Sequence, residues 1–196
     1  MILSDGEIQD AISQGFIIIR PPPTPEQYTT SALDLILGDE LVELVPPSEF
    51  SRDEVPGVER PFVVHLADID IRAFQARYTR PIPRHPDGSF RLLPDKFALG
   101  ITREHVTLPH SSKIAARVEG RSTLARLGLV VHLTAPTIHC GFDGVVVLEI
   151  CNLGPYELSL MPGKLAICQL IFERLGQEPL GTVRTPFQEQ TGIRSC

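Results

Sequence analysis

Prolines and glycines are spread along the whole chain and divide it into short apolar runs. The 196 residues include 18 prolines and 15 glycines, a share above the ~12% that is usual in globular proteins. A helix or a central strand cannot continue through the prolines at 21–23, and similar breaks recur along the chain. The runs between these breaks are rich in Val, Ile, Leu and Phe, which is typical of strands. The pattern predicts a mainly β fold, a barrel or a sandwich, with a few short helices.

Most of the predicted strands lie in the second half of the chain. They are Phe90–Leu93, Ala98–Thr102, Ile114–Glu119, Leu129–Leu133, Val145–Ile150 and Leu165–Phe172. Nearer the N-terminus, two apolar runs at 33–37 and 41–45 flank Gly38 and Asp39, and this arrangement predicts a hairpin. The polar stretch 46–60 predicts a long loop, and 134–152 predicts a second hairpin that ends in an apolar strand.

Three short helices are predicted beside these strands. Ser4 and Glu7 have the spacing of a capping box, and Gly15 is placed to end the helix that follows. A helical turn is predicted at 73–78 and another at 123–126. The tail after Gly176 is polar and is expected to be mobile.

The composition excludes several classes of protein. The net charge is −6 and the sequence pI is near 5.5, so the chain has no general attraction for a polynucleotide. No apolar stretch approaches the ~20 residues of a membrane helix, and the N-terminus lacks the pattern of a signal peptide. We therefore expect a cytoplasmic protein that binds neither nucleic-acid polymer nor membrane.

The cysteines and histidines do not predict a metal site held by the protein. No C-x-x-C pair occurs among the four cysteines, which are Cys140, Cys151, Cys168 and Cys196. His139 stands beside Cys140, but two neighbouring ligands without two more at suitable spacing favour a structural role. We expect buried or free thiols and no bound zinc.

The segment from Gly120 to Gly128 is the first candidate for a binding site. A predicted strand leads into Arg121, then Ser122 as the N-cap of a short helix that carries Arg126. Backbone N–H groups at a helix start and two guanidinium groups suit an anion such as a phosphate. A capped surface helix whose arginines face solvent fits the same residues equally well.

Glu149 is the second candidate because it interrupts an apolar strand. Burying an unpaired carboxylate is costly, so Glu149 has a partner, faces a cavity that uses its proton affinity, or faces water. Strand alternation puts Val145, Val147 and Glu149 on one face, which leaves all three alternatives open.

These two stretches, together with others, resemble the dCTP deaminases, a family in the trimeric dUTPase-like superfamily. The matching motifs cover nearly the whole chain and keep their order. They are Ile-Leu-Ser-Asp-x-x-Ile at 2–8, Ser-Ala-Leu-Asp-Leu at 31–35, Gly-Arg-Ser-Thr-Leu-Ala-Arg-Leu-Gly at 120–128, Val-His-Leu-Thr-Ala at 131–135, Gly-Phe-x-Gly at 141–144, Val-Leu-Glu-x-x-Asn at 147–152, the late strand at 163–172 and the closing segment at 187–192.

The resemblance implies a single domain over 1–196, a distorted β-barrel of the dUTPase-like type. It implies a homotrimer with active sites at subunit interfaces and a tail, 175–196, that closes over the nucleotide. The implied reaction is the hydrolytic deamination of dCTP to dUTP and ammonia, which feeds the synthesis of dUMP and dTTP. The implied ligands are dCTP and dUTP, with dTTP as a candidate inhibitor.

The resemblance also assigns roles to individual residues. Glu149 falls on the catalytic glutamate, which moves protons as water attacks C4 of cytosine, and Ser122 falls on a serine that holds that water. The triphosphate loop is carried over onto Arg121, Ser122, Thr123 and Arg126. The other implied substrate contacts are Ala135 through its backbone, Phe142 at the deoxyribose, Val147 and Leu148 along the base and sugar, Gln169, and Gln190.

The motifs of zinc-dependent deaminases, H-x-E and P-C-x-x-C, are missing from this sequence. A deaminase built from these residues is expected to activate water with a carboxylate. Mg²⁺ is expected to enter with the triphosphate and not through ligands of the protein.

Two positions depart from the family pattern. His139 stands where the family has an acid that is associated with diphosphatase chemistry and with the sugar 3′-hydroxyl, and a neutral imidazole can still accept one hydrogen bond there. Pro186 stands where the family often has a lysine. The departure at Pro186 concerns closure of the tail, and the missing acid at His139 favours a deaminase that stops at dUTP. The alternatives are a bifunctional enzyme that forms dUMP and pyrophosphate, a deaminase of a modified deoxycytidine nucleotide, and a nucleotide-binding regulator without turnover.

Overall fold

Short strands dominate the computed structural model, which describes residues 1–46, 58–59, 63–182 and 189–193. The α-helices in these ranges are α1 (Asp5–Ser13), α2 (Ile71–Tyr78) and α3 (Ser122–Ala125). The first strands are β1 (Ile18–Arg20), β2 (Tyr28–Thr29), β3 (Ala32–Leu44), β4 (Val58–Glu59), β5 (Val63–Val64), β6 (Thr79–Pro81) and β7 (Phe90–Leu92). The remaining strands are β8 (Phe97–Thr107), β9 (Ile114–Gly120), β10 (Leu129–Val130), β11 (Thr137–Ile138), β12 (Asp143–Asn152), β13 (Leu158–Leu160) and β14 (Ala166–Arg174).

Ten of these strands form one curled sheet. Its main path runs β10-β12-β8-β3-β14-β9-β11, with β1 added beside β8 and with β2 and β6 added beside β3. Two further pairs, β7 with β13 and β4 with β5, lie outside this sheet. The prediction of a mainly β, distorted barrel with a few short helices is confirmed, since the sheet curls into a half-barrel. No helix within the described ranges is long and apolar enough to span a membrane.

The first helix follows its local signals closely. The Ser4 hydroxyl accepts from the Glu7 N–H, and Glu7 Oε2 accepts from the Ser4 N–H at 2.9 Å, so the predicted capping box is present. Gly15 follows the helix with φ of 73°, a conformation that glycine adopts without strain. The predicted helix at 73–78 is also found, and it begins two residues earlier, at Ile71.

The predicted hairpin around Gly38 is wrong. Residues 32–44 form the single strand β3, which runs straight through Gly38 and Asp39. A bulge between Leu37 and Leu41 shifts the register against β8. A Cβ on Gly38 would lie 2.8 Å from Cγ1 of Ile101 and 3.0 Å from its carbonyl oxygen. Glycine is therefore required for a close approach of two strands and not for a turn.

The second predicted hairpin, over 134–152, is wrong as well. Its first strand β11 pairs with β9, whereas β12 pairs with β8 on the other side of the sheet. The strand predicted at 129–133 ends at Val130. Most of the loop predicted at 46–60 lies outside the described residues.

The larger apolar core packs against one face of the sheet. Its largest fully buried side chain is Phe172, surrounded by residues such as Leu33, Leu148 and Leu170. A second, smaller cluster consists of Val42, Leu99 and Ile193, with Phe97, Ile101 and Val147 packed against it. Residues of both clusters border the candidate site.

A fully buried acid braces β3 against β8. Glu104 accepts from the Ile36 N–H at 2.8 Å, from Arg103 Nη2 at 2.6 Å and from Gln27 Nε2 at 3.1 Å. Both carboxylate oxygens of Glu104 have partners, so its burial leaves no acceptor unsatisfied.

We predict opposite effects for two Gly→Ala substitutions. Gly38→Ala should lower the free energy of unfolding by about 1–3 kcal/mol, because the added methyl group meets the β8 backbone. Gly6→Ala, on the open surface of α1, should raise it by roughly 0.5–1 kcal/mol. Urea denaturation at matched protein concentration measures both. Equal stability of the two variants would mean that β3 and β8 are not in the close contact described.

Candidate active site

Glu149 lies on β12 at the wall of a cavity. Its Oε2 accepts from the Leu133 N–H at 3.3 Å, and its strand neighbour across the ladder is Leu99 on β8. The side chain is half-buried, and no ion pair to it forms within the part of the chain that the structure describes. Of the alternatives left open by the sequence, the structure favours a carboxylate that faces a cavity.

The cavity has a volume of about 810 Å³, within the range of small-molecule sites. Apolar side chains form most of its wall, among them Leu99, Val118, Ile138 and Val146. The predicted site residues that line it are Ala135, His139, Phe142, Val147, Leu148, Glu149 and Gln190. The structure thus brings seven of the predicted residues to one apolar chamber.

Two pieces of the C-terminal tail contribute to the same cavity. Residues 175–182 supply Leu175, Pro179, Gly181 and Thr182, while Gln190 and Ile193 come from 189–193. His110 holds the first piece, with Nε2 2.9 Å from the Gly181 carbonyl oxygen and Nδ1 3.4 Å from Glu178. Pro186 falls outside the described residues, and closure of the tail over a nucleotide stays a prediction.

The second piece is attached to β12 by backbone hydrogen bonds. The Val145 N–H donates to the Gln190 carbonyl at 3.0 Å, and the Glu189 N–H donates to the Asp143 carbonyl at 2.7 Å. Gln190 Nε2 also donates to the Val145 carbonyl at 2.9 Å. A Cβ on Gly144 would lie 3.1 Å from the Gln190 carbonyl oxygen, so glycine makes room for the tail.

The predicted triphosphate loop does not line this cavity. Arg121, not Ser122, is the N-cap of α3, and the cap has no side-chain hydrogen bond, which corrects the prediction for Ser122. Ser122, Thr123 and Arg126 are exposed. Within the described residues, the predicted loop therefore does not share the cavity on which Glu149 lies.

Gln169 also lies away from the cavity. On β14 it stands between Asp34 of β3 and Glu119 of β9, with its side chain half-buried. Asp34 in turn approaches Arg121, with Oδ2 3.2 Å from Nη2. Gln169 is thus on the side of the sheet where the loop begins.

Three polar residues of the cavity that lie outside the tail are not among the predicted site residues. Gln75 reaches it from α2, His132 from the turn after β10, and Thr137 from β11. The Nδ1 atom of His132 is buried and has no hydrogen-bond partner among the described residues. His132 belongs to the Val-His-Leu-Thr-Ala motif at 131–135, so the sequence holds a signal for it. Gln75 has no such signal, because it joins the cavity wall through tertiary packing.

The Glu149 carboxylate affects the pKa of Cys151, two residues further along β12. Burial, with a smaller contribution from the Glu149 carboxylate, raises the pKa of the Cys151 thiol. Burial raises the pKa of the Cys168 thiol much further. Among the described residues no group of three or more His, Cys, Asp or Glu side chains is arranged to hold a metal ion.

The fold of this chain resembles that of a solved deaminase. It is similar to the crystal structure of 2′-deoxycytidine 5′-triphosphate deaminase from Agrobacterium tumefaciens, with a TM-score of 0.59 and 17% sequence identity. The match covers 87% of this chain and 47% of that one, so the chain spans about half the length of the solved structure. At this identity the likeness shows a shared β fold.

The sequence comparisons narrow the class to a family. The family model described as dCTP deaminase-like matches residues 2–175. A dCTP deaminase of Rhodospirillum rubrum is 38% identical over 178 residues, 89% of this chain and 83% of the relative. A protein of Methanobrevibacter smithii named dCTP deaminase, dUMP-forming, is 35% identical over 174 residues, 89% of this chain and 80% of the relative. The chain belongs to the dCTP deaminase-like family of enzymes, which confirms the resemblance.

We predict that Gly144→Ala loosens the attachment of 189–193 to β12. The new methyl group would crowd the Gln190 backbone at a φ of 153° that glycine tolerates better. Hydrogen exchange of the Val145 and Glu189 amides should accelerate on the order of tenfold. Gly176→Ala, which adds a methyl group in open space, is the matched control. Unchanged exchange in both variants would contradict the described attachment.

Proposed function

We propose that this protein catalyses the hydrolytic deamination of dCTP to dUTP and ammonia. The observation that carries the proposal is the half-buried Glu149 carboxylate, held by the Leu133 N–H on the wall of an apolar cavity of about 810 Å³. The relatives in Rhodospirillum rubrum and other organisms bear the name dCTP deaminase, which supports the same substrate.

In the proposed reaction Glu149 moves protons between water and the base. It takes a proton from the water that attacks C4, so a C–O bond forms as the C4–N3 double bond opens and N3 is protonated. Glu149 then carries the proton of the new C4 hydroxyl to the exocyclic amine, so the C4–N bond breaks, ammonia leaves and the C4 carbonyl of dUTP forms. The Leu133 N–H occupies one carboxylate oxygen and leaves the other free to meet the water. No zinc is required in this proposal.

The cavity wall suits the rest of the nucleoside. Val147 and Leu148 are proposed to flank the base and sugar, Phe142 the deoxyribose, and the Ala135 backbone the attacking water. His139 is exposed at the same cavity and is proposed to accept a hydrogen bond from the 3′-hydroxyl. Their common position supports these roles.

The phosphate loop supports an active site shared between subunits. Ser122 and Arg126 are exposed and do not line the cavity of Glu149 in the described chain, so a neighbouring copy would supply them in a homotrimer. Leu127 and Leu153 beside the loop are 50% and 69% exposed, which suits a surface covered by another copy. Mg²⁺ would enter on the triphosphate oxygens, with Arg121, Thr123 and Arg126 meeting the remaining charge.

A second candidate function has a specific observation in its favour. The relatives in Methanobrevibacter smithii and Methanosphaera stadtmanae are named dUMP-forming. A bifunctional enzyme would release dUMP and pyrophosphate in addition to ammonia. Chromatography of the products formed from dCTP separates the two functions, and accumulation of dUTP fits the imidazole of His139 in place of an acid.

We predict that Glu149→Gln lowers the rate of deamination at least about 100-fold, because an amide cannot shuttle the protons. Binding of dCTP should persist, since the substitution keeps the shape of the side chain. Initial rates of ammonia release and the dissociation constant of dCTP test both statements. Glu157→Gln, an exposed acid outside the cavity, is the control.

Two results of that experiment would reject the proposal. A wild-type chain that binds dCTP but releases neither ammonia nor any new nucleotide would be the regulator considered above. A Glu149→Gln variant with full activity would remove the proposed role of the carboxylate.

We further predict that two inactive variants complement each other. Mixing Glu149→Gln chains with Arg126→Ala chains, after dissociation and reassembly, should create roughly one quarter intact sites if neighbouring subunits share each site. Ammonia release should then recover in the mixture although each variant alone stays inactive. A mixture as inactive as its components, with mixed oligomers shown by mass spectrometry, would place the whole site within one chain.

A further inference from the structure

Asp34 is a buried acid that forms an ion pair through one of its two carboxylate oxygens. It lies on β3 and is 4% exposed. Oδ2 lies 3.2 Å from Arg121 Nη2, whereas Oδ1 is buried and has no partner among the described residues. Burial raises the pKa of Asp34, and the Arg121 guanidinium opposes that effect.

Scaffolding alone does not explain this arrangement. Glu104, the other acid buried in the same sheet, has partners on both oxygens and braces two strands. The Asp34 side chain makes its one ion pair with Arg121, the N-cap of α3. Burying a carboxylate is costly, and among the described residues the Asp34 side chain does not connect two strands as Glu104 does. We therefore look for its role in the placement of Arg121.

Arg121 has donors to spare once Asp34 is bound. A guanidinium carries five N–H donors in a fixed plane, and Asp34 engages one of its terminal nitrogens. The Arg121 side chain is 35% exposed, so its remaining donors reach solvent at the start of the predicted phosphate loop. Gln169, another predicted nucleotide contact, faces Asp34 across the ladder on β14.

We propose that Asp34 is a positioning residue that fixes the guanidinium plane of Arg121 for the triphosphate. This inference rests on the proposed function, in which Arg121 meets the nucleotide phosphates. A free arginine on the surface must lose the rotation of its side chain when a ligand binds, and an arginine held by a buried acid has already lost it. Asp34 therefore acts on affinity for phosphate and not on proton transfer at the base.

The test measures binding of magnesium tripolyphosphate, a probe without base or sugar, by titration calorimetry. Arg121→Gln and Asp34→Asn should each weaken binding about tenfold. The double variant should bind no more weakly than Arg121→Gln alone, because Asp34 acts only through Arg121. With dCTP as substrate, Asp34→Asn should raise KM by a similar factor and leave kcat nearly unchanged.

Two further variants separate positioning from stability. Glu104→Gln makes the same acid-to-amide change in another buried ion pair, and it should lower the melting temperature without changing affinity for tripolyphosphate. Arg121→Lys keeps the positive charge at a surface position but loses the fork, so it should bind as weakly as Arg121→Gln. It also tests the inference if Asp34→Asn does not fold.

The outcomes distinguish this inference from the function on which it rests. Weak binding by Arg121→Gln together with normal binding by Asp34→Asn or Arg121→Lys overturns the inference and leaves the phosphate role of the loop intact. Additive losses in the double variant also overturn it. Normal binding by Arg121→Gln removes the phosphate role of Arg121, and the inference falls with it.

Discussion

The pairing of β3 with β8 is the constraint on which the rest of the structure depends. Val42 on β3 faces Leu99 on β8, and Leu99 faces Glu149 on β12, so the position of the acid is set two strands away. At its other end β3 carries Asp34 towards Arg121. One strand therefore fixes both the wall of the cavity and the ion pair beside the predicted triphosphate loop, and the bulge near Gly38 sets the register between these two regions.

The sequence predicts best what neighbouring residues decide among themselves. The capping box of α1 joins residues three apart, and the pattern at 73–78 shows its helix in the same way. The prediction of a turn at Gly38 is wrong although glycine before aspartate favours a turn. The contact that requires glycine there comes from Ile101 on another strand, which the local sequence does not show. The partner of β11 was missed for the same physical reason, since strand pairing is decided by packing across the sheet.

In the candidate site, too, the sequence shows the residues with a local signal and misses those that tertiary packing brings in. Glu149 could be found from the sequence because an acid inside an apolar strand demands an explanation, and the structure places it at a cavity. Gln75 could not, because nothing in the sequence of α2 indicates which strands it covers. The sequence motif of the predicted triphosphate loop gives its order along the chain. It does not show that the described loop residues lie outside the cavity on which Glu149 lies.

The two buried acids show how the fold treats scaffold and site differently. Glu104 has both oxygens satisfied, so a change near it meets a rigid network that resists movement of β8 against β3. Oδ1 of Asp34 has no partner among the residues that the structure describes, and the ion pair of Oδ2 reaches outward to a side chain that is partly in solvent. Charge added near Arg121 will therefore be felt at Asp34 with little screening by water, because the carboxylate is buried. Glu104 thus stiffens β3 at Ile36, whereas the Asp34 side chain two residues away stays sensitive to charge near Arg121.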